Sequence, residues 1–265
     1  MKIGLLQFSV CRGELEKNET IIDAYMKEAG EMAPDVIVLP EMWTRGYDLE
    51  NLHLHKDLEE LNGERTAQKL KKWALETGAY IVGGSTALRK SNTKGFTNTM
   101  YVVNPQGEKI LTYDKVHLFR LMQEDRYMVA GQEKGNFYIK EWPCGAIICY
   151  DLRFPEWVRQ TILANQGQML FVVAQWPQVR VAHWRTLLQA RAIENQAYVI
   201  ACNRNGADDD GTIFAGHSMV IDPWGEIVAQ KGEDEGWLWV DIDPNKAVEV
   251  RKKIPIFADR RVELY

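Results

Sequence analysis

The sequence predicts an α/β fold assembled from βαβ units in two similar halves. Three observations carry this. Short continuous apolar runs recur along the chain, helix-forming stretches lie between them, and several segments repeat at an offset of 118 residues. Continuous Val/Ile/Leu runs mark strands covered on both faces, because a half-exposed strand alternates apolar and polar positions.

The apolar runs, in chain order, are KIGLLQF (2–8), VIVLP (36–40), AYIVGGS (79–85), AIIC (146–149), LFVVA (170–174) and AYVIA (197–201). In ERTAQKLKKWALET (64–77), Ala67, Leu70, Ala74 and Leu75 keep helical spacing. VAHWRTLLQARAIENQ (181–196) holds no Gly or Pro and is rich in helix formers. Strands alternating with helices give βαβ units. AYIVGGS begins at 79 and AYVIACN at 197; NPQGE begins at 104 and DPWGE at 222. Both Pro-x-Gly segments sit between strand-like runs and read as hairpin turns. VIVLPEMW and LFVVAQW also match, at another offset. Each half thus reads strand, helix, strand, helix, strand, hairpin, over 1–113 and 143–243. Two such halves pack around a shared core, so 1–265 is expected to be a single domain. The acidic ADDDG (207–211) reads as a solvated loop. The tail RKKIPIFADRRVELY packs either across a neighbouring subunit or across its own surface.

Composition narrows the function. The 265 residues are 46% hydrophobic and 26% charged, with a net charge of -5 and no dense Lys/Arg run. That balance is ordinary for a globular protein and argues against nucleic acid or an anionic membrane as partner. No apolar stretch reaches the roughly 18 residues of a membrane span. MKIGLLQFSV lacks the apolar core and cleavage site of a signal peptide, so a cytoplasmic protein is expected. Cys11, Cys144, Cys149 and Cys202 are scattered and form no C-x-x-C pair. The histidines, at 53, 55, 117, 183 and 217, form no H-E-x-x-H helix. No metal site is expected.

The stretch GAIICYDLRFPEW (145–157) carries chemistry. It ends an apolar run on a thiol and follows it at once with Tyr150, Asp151 and Arg153. In open α/β sheets, ligands bind beyond the carboxyl ends of strands. Glu41 ends VIVLPE, Cys149 ends GAIIC, and Lys115 follows the first hairpin in TYDKVHLF. A carboxylate can take a thiol proton, and an ammonium can hold the oxyanion that forms when the thiolate attacks a carbonyl. The amide of Tyr150 supplies a second oxyanion donor if a helix begins after the nucleophile. Taken singly, Cys149 reads as a core cysteine, Glu41 as a helix cap and Lys115 as a surface lysine. Sequence spacing does not bring the three together.

LPEMW, YDKVHLF and CYDLRFPEW resemble the three signature segments of the nitrilase, or carbon–nitrogen hydrolase, superfamily. They occur in the family's order, and GHSMVIDPWGE and RAIENQAYVIACNRNG resemble further family segments. The resemblance implies a four-layer α-β-β-α sandwich with pseudo-twofold halves. It also implies a Glu-Lys-Cys triad at Glu41, Lys115 and Cys149, with a second glutamate, Glu124, beside it; Glu133 lies nearby. His117 resembles a family histidine with a structural role. EMWTRGY, KVHLFRLMQE and CYDLRFPEW look most like the ω-amidase branch, which hydrolyses the terminal amide of 2-oxoglutaramate or 2-oxosuccinamate through a thioester. True nitrilases usually carry Trp directly after the nucleophile, where this chain has Tyr150. No cofactor is implied. Homodimers are, here through helices near 156–163 and 185–194.

The expected substrate-binding residues are Tyr150, Arg153, Tyr47 and Trp176. Arg153 lies four residues, about one helical turn, past Cys149. Its guanidinium either binds a substrate carboxylate in two-pronged fashion or pairs with Asp151 or Glu156. Two other readings remain open: an N-carbamoyl amino acid amidohydrolase, and a catalytically silent binding protein on the same fold.

Overall fold

A computed structural model describes residues 1–55, 63–90 and 95–264. In the first half, β1 (Lys2–Gln7), β2 (Val36–Val38) and β3 (Tyr80–Val82) run parallel, joined through α1 (Leu15–Met32) and α2 (Glu64–Thr77). In the second half, β8 (Trp142–Ile148), β9 (Met169–Ala174) and β10 (Tyr198–Asn203) repeat the arrangement through α4 (Pro155–Asn165) and α5 (Val181–Asn195). Each half closes with an antiparallel hairpin: β5 (Phe96–Val103) with β6 (Lys109–Asp114), and β11 (Met219–Ile221) with β12 (Ile227–Gln230).

The two hairpin turns are built alike. Asn104 Oδ1 accepts the N–H groups of Gln106 and Glu108, and Asp222 Oδ1 accepts those of Trp224 and Glu226. Gly107 and Gly225 take φ of 78° and 86°, which only glycine adopts without strain.

Side-chain alternation explains the layers. In β1, Leu6 faces the α1/α2 layer together with Ile22, Met26, Leu70 and Trp73. Its neighbours Ile3 and Leu5 face the other way, into a core that also holds Ile147, Phe171 and Val199 of the second sheet. That core continues to Val158 and Ile162 of α4 and to Trp184 and Leu188 of α5. The order is therefore helices, sheet, sheet, helices, the four-layer sandwich. Each fully buried aliphatic side chain contributes about 1.5–3 kcal/mol.

The sequence halves differ from the structural ones at their ends. β13 (Gly236–Asp241) follows the second half but pairs antiparallel with β1, Lys2 opposite Asp241. β7 (Gly135–Ile139) lies between the halves and edges the second sheet against β8. After each hairpin the chain crosses to the opposite sheet, so each sheet is completed by a strand from outside its own repeat. β4 (Thr86–Arg89) shares with β3 the edge of β5 opposite β6. The 207–211 segment is only partly solvated: Asp208 turns inward to the buried Arg204 at 2.8 Å. The tail lies across its own surface, with Phe257 beneath the guanidiniums of Arg159 and Arg251.

Candidate active site

Glu41, Lys115, Glu124 and Cys149 meet at the carboxyl ends of the strands. Glu41 lies three residues past β2, where the chain is pinned from two directions. From the first sheet, Met42 N–H donates to Ser85 Oγ and Trp43 N–H to the Ser85 carbonyl. From the second, Gln175 donates its N–H to Glu41 Oε2 and its side-chain amide to the Glu41 carbonyl, both at 2.8 Å. Gln175 follows β9 as Glu41 follows β2, so the repeat places the two opposite each other.

Lys115 directly follows β6, and its N–H donates to the carbonyl of Asn98. Its ammonium is fully buried and donates to Glu41 Oε1 at 2.9 Å and to Glu124 Oε1 at 2.8 Å. The same two oxygens accept from Tyr47 Oη at 2.7 and 2.9 Å and from Asn98 Nδ2 at 2.9 and 3.3 Å. Glu124 opens α3 (Glu124–Tyr127), and its second oxygen accepts the N–H of Phe119. Glu133 is exposed and takes no part. Burial alone would lower the Lys115 pKa; Glu124 and Glu41 outweigh it and hold the ammonium above its ordinary range. Burial raises Glu124, against the pull of Lys115.

Cys149 lies where β8 ends, as the first residue of a 3-10 turn over Cys149–Arg153. Its φ is +42°, a left-handed conformation that costs a non-glycine residue about 1–3 kcal/mol. Asp151 holds this elbow. The buried carboxylate accepts Ile148 N–H at 3.1 Å and Tyr113 Oη–H at 2.7 Å on Oδ2, and His117 N–H at 2.9 Å on Oδ1. His117 Nδ1 lies 2.8 Å from Oδ1, and its ring stacks on Phe154 at 3.7 Å. His117 is therefore a strut. The N–H of Tyr150, second in the turn, has no intrahelical acceptor. Burial pushes the Cys149 thiol well above its ordinary pKa; the Glu41 charge adds to this, and Lys115 opposes it. The thiol lies against the Glu41 carboxylate, which is placed to accept its proton.

A narrow cavity opens on Cys149, lined by Phe119, Tyr150, Arg153, Gln175, Trp176 and Arg180. It shares Phe119, Pro177 and Arg180 with a larger outer vestibule. The Arg153 guanidinium lies 4.6 Å over the Trp176 ring and 3.5 Å from His183 Nδ1. It does not pair with Asp151, whose oxygens are taken as above, and among the described residues it has no carboxylate partner within 4.0 Å. The Tyr47 hydroxyl is bonded to the two glutamates, and the residue also lines the vestibule. Sequence reading missed Asn98, Gln175 and Arg180. A polar residue inside the β5 run and the repeat itself were signals for the first two.

No cluster of three or more His, Cys, Asp or Glu side chains suited to a metal ion occurs among the described residues, and no helix there is long and apolar enough to cross a membrane. The family profile described as carbon-nitrogen hydrolase matches residues 2–252. A Bacillus subtilis protein named 2-oxoglutaramate amidase is 43% identical over 263 residues, 99% of this chain and 98% of its own. The Escherichia coli K12 protein named omega-amidase YafV is 36% identical over 98% of this chain and 96% of its own. A carbon–nitrogen hydrolase superfamily protein of Xanthomonas campestris, solved with an arsenic adduct in its active site, superposes with a TM-score of 0.89 at 31% identity, over 98% of this chain and 97% of that one.

Proposed function

Because the chain belongs to the carbon-nitrogen hydrolase family, we propose that it is an amidase that hydrolyses the terminal amide of a 2-oxo dicarboxylic acid monoamide, 2-oxoglutaramate or 2-oxosuccinamate, and releases ammonia. The observation that carries this is the convergence of Glu41, Lys115 and Cys149 beneath a cavity whose far side bears Arg153. The names of the Bacillus and Escherichia relatives support the substrate class.

Glu41 takes the thiol proton, and Cys149 Sγ bonds to the amide carbon. The carbonyl π electrons move onto oxygen. Lys115 has three protons; two rest on Glu41 and Glu124, and the third, whose contact with the Tyr47 hydroxyl is the longest of the three at 3.2 Å, is the one turned to the oxyanion. The Tyr150 N–H is the second donor. Collapse of the adduct breaks the C–N bond, and Glu41 returns its proton to the leaving nitrogen, giving ammonia and a thioester. Glu41 then deprotonates water, which attacks the thioester; the thiolate leaves and regains a proton. Glu124, Tyr47 and Asn98 keep Lys115 and Glu41 in place. Arg153 receives the substrate carboxylate, with Trp176 as the surface against which it lies.

The remaining assignments follow from this reading. Residues 1–265 act as one catalytic unit without metal or organic cofactor. The free cysteines suit the cytoplasm. Two copies pair through the outer faces of α4 and α5, where Ile193 is 54% exposed; light scattering at micromolar concentration should return twice the 30.5 kDa chain mass. The test of function is ammonia release across a panel holding 2-oxoglutaramate, 2-oxosuccinamate, an N-carbamoyl amino acid and pentanamide. The first two should lead. Faster turnover of the carbamoyl compound would overturn the assignment.

A further inference from the structure

A second arginine lines the same cavity as Arg153. Arg180 stands at the junction of the inner cavity and the vestibule and lines both. One tryptophan fixes the pair. The Trp176 ring lies under the Arg153 guanidinium, and its indole N–H donates to the Arg180 carbonyl at 2.8 Å. The Arg180 backbone is tied again by its N–H to Pro177 O, and Gln178 N–H is tied to Ile213 O. Among the described residues, neither arginine has a carboxylate within 4.0 Å, although Arg12, Arg191 and Arg204 nearby all do. Burial weakens protonation of Arg153, Cys149 and Tyr150 oppose this, and the Arg180 charge adds a smaller weakening than any of these.

The inner cavity thus joins Cys149, seated by two glutamates and one lysine, to two arginines that have no carboxylate partner among the described residues, and Arg180 carries that positive charge out to the vestibule. One carboxylate is enough to satisfy one guanidinium in two-pronged fashion. The second must meet another acceptor, and it sits beside the first. In a 2-oxo acid that acceptor is the keto oxygen adjacent to the carboxylate. In glutamine or asparagine the same position carries an ammonium, which brings no acceptor and adds a third positive charge to a half-buried site.

We infer that Arg180 is a specificity-determining residue. With Arg153 it makes the outer end of the pocket a receptor for the 2-oxo-carboxylate as a unit, and it rejects the 2-ammonium of the corresponding amino acid amides. This rests on the amidase reading above and adds to it the basis of discrimination at carbon 2.

The test is kcat/KM for wild type, Arg180→Gln and Arg180→Lys on 2-oxoglutaramate, glutaramate (the same chain without the 2-oxo group), glutamine and pentanamide. In Arg180→Gln the 2-oxoglutaramate-to-glutamine ratio should fall roughly 10- to 100-fold, the range for one hydrogen bond to a charged group. The 2-oxoglutaramate-to-glutaramate ratio should fall as well. Arg180→Lys keeps the charge but loses the fork, so it should retain more of the discrimination against glutamine than Arg180→Gln does. Circular dichroism checks that both variants are folded. An unchanged 2-oxoglutaramate-to-glutamine ratio in Arg180→Gln overturns the inference. So does an equal loss on 2-oxoglutaramate and glutaramate, which makes Arg180 a reader of the carboxylate alone. A wild type that prefers neither acid to pentanamide overturns the amidase substrate class itself, before any variant is compared.

Discussion

Asp151→Asn should destabilise the protein severely, although it changes no volume and lies outside the triad. The carboxylate is buried and meets four groups, two on each oxygen. An amide offers only one oxygen. Whichever way it is turned, a backbone N–H, of Ile148 or of His117, faces an NH₂ group. Leaving one buried donor unsatisfied costs about 1–3 kcal/mol. The bonds that survive lose their charge assistance, about 1 kcal/mol more. The Tyr113 hydroxyl can turn to accept, and His117 can change tautomer, so those two partners add little. The net is about 2–4 kcal/mol. At about 2–4 °C per kcal/mol for a chain near this size, Tm should fall by about 4–16 °C. Turnover should fall further than stability predicts, because the same bonds hold Cys149 at its φ of +42°. Thermal unfolding by circular dichroism at pH 7 is the assay, with the exposed Glu156→Gln as control at within about 0.5 kcal/mol. If Asp151 merely paired with Arg153 near the surface, the loss would be at most about 1 kcal/mol. A Tm within about 2 °C of wild type would refute the account of the elbow.

Cys149→Ala, Glu41→Gln and Lys115→Ala should each lower kcat by about 10²-fold or more, and the double variants little further, because the groups act as a unit; steady-state ammonia release checks this. Stability should fall as pH rises past the ordinary thiol range. Burial raises the pKa of Cys144, Cys149 and Cys202 above the unfolded value. Their contribution is complete below the unfolded thiol pKa and is lost as pH climbs toward the native values, at about 1.4 kcal/mol per pH unit for each thiol. Urea titrations at several alkaline pH values measure the slope, which Cys202→Ala should reduce. Dialysis against EDTA should leave turnover unchanged; a loss restored by zinc would contradict the mechanism.

The strand and helix framework was legible because burial on both faces writes continuous apolar runs such as VIVLP and LFVVA, and because the Asn104 and Asp222 turns repeat the same chemistry. The triad positions were legible as polar residues at strand ends, and the family resemblance joined them. The exchange of β7 and β13 was not legible, since nothing in GNFYI or GWLWVD says which sheet a strand will edge. Asn98, Gln175 and Arg180 were hidden for a related reason. The local signals at Asn98 and Gln175 give no partner, Arg180 has none, and the role of each comes from partners 29–134 residues away or from a cavity that only the assembled sheets enclose. Asp151 was visible as a charge, but its partners were not. The nearby Arg153 was the obvious mate in sequence, whereas the structure gives it to Tyr113, at the end of the other half, and to His117 just past it.

The thioester on Cys149 is the central claim, and intact-protein mass spectrometry after rapid acid quench tests it most directly. Mixed with 2-oxoglutaramate and quenched within one turnover, the wild-type chain should gain the mass of the substrate less ammonia. The added mass should map to the peptide containing Cys149 and be absent from Cys149→Ala. Full ammonia release by Cys149→Ala, or turnover of the wild type with an adduct on another cysteine, would contradict the account.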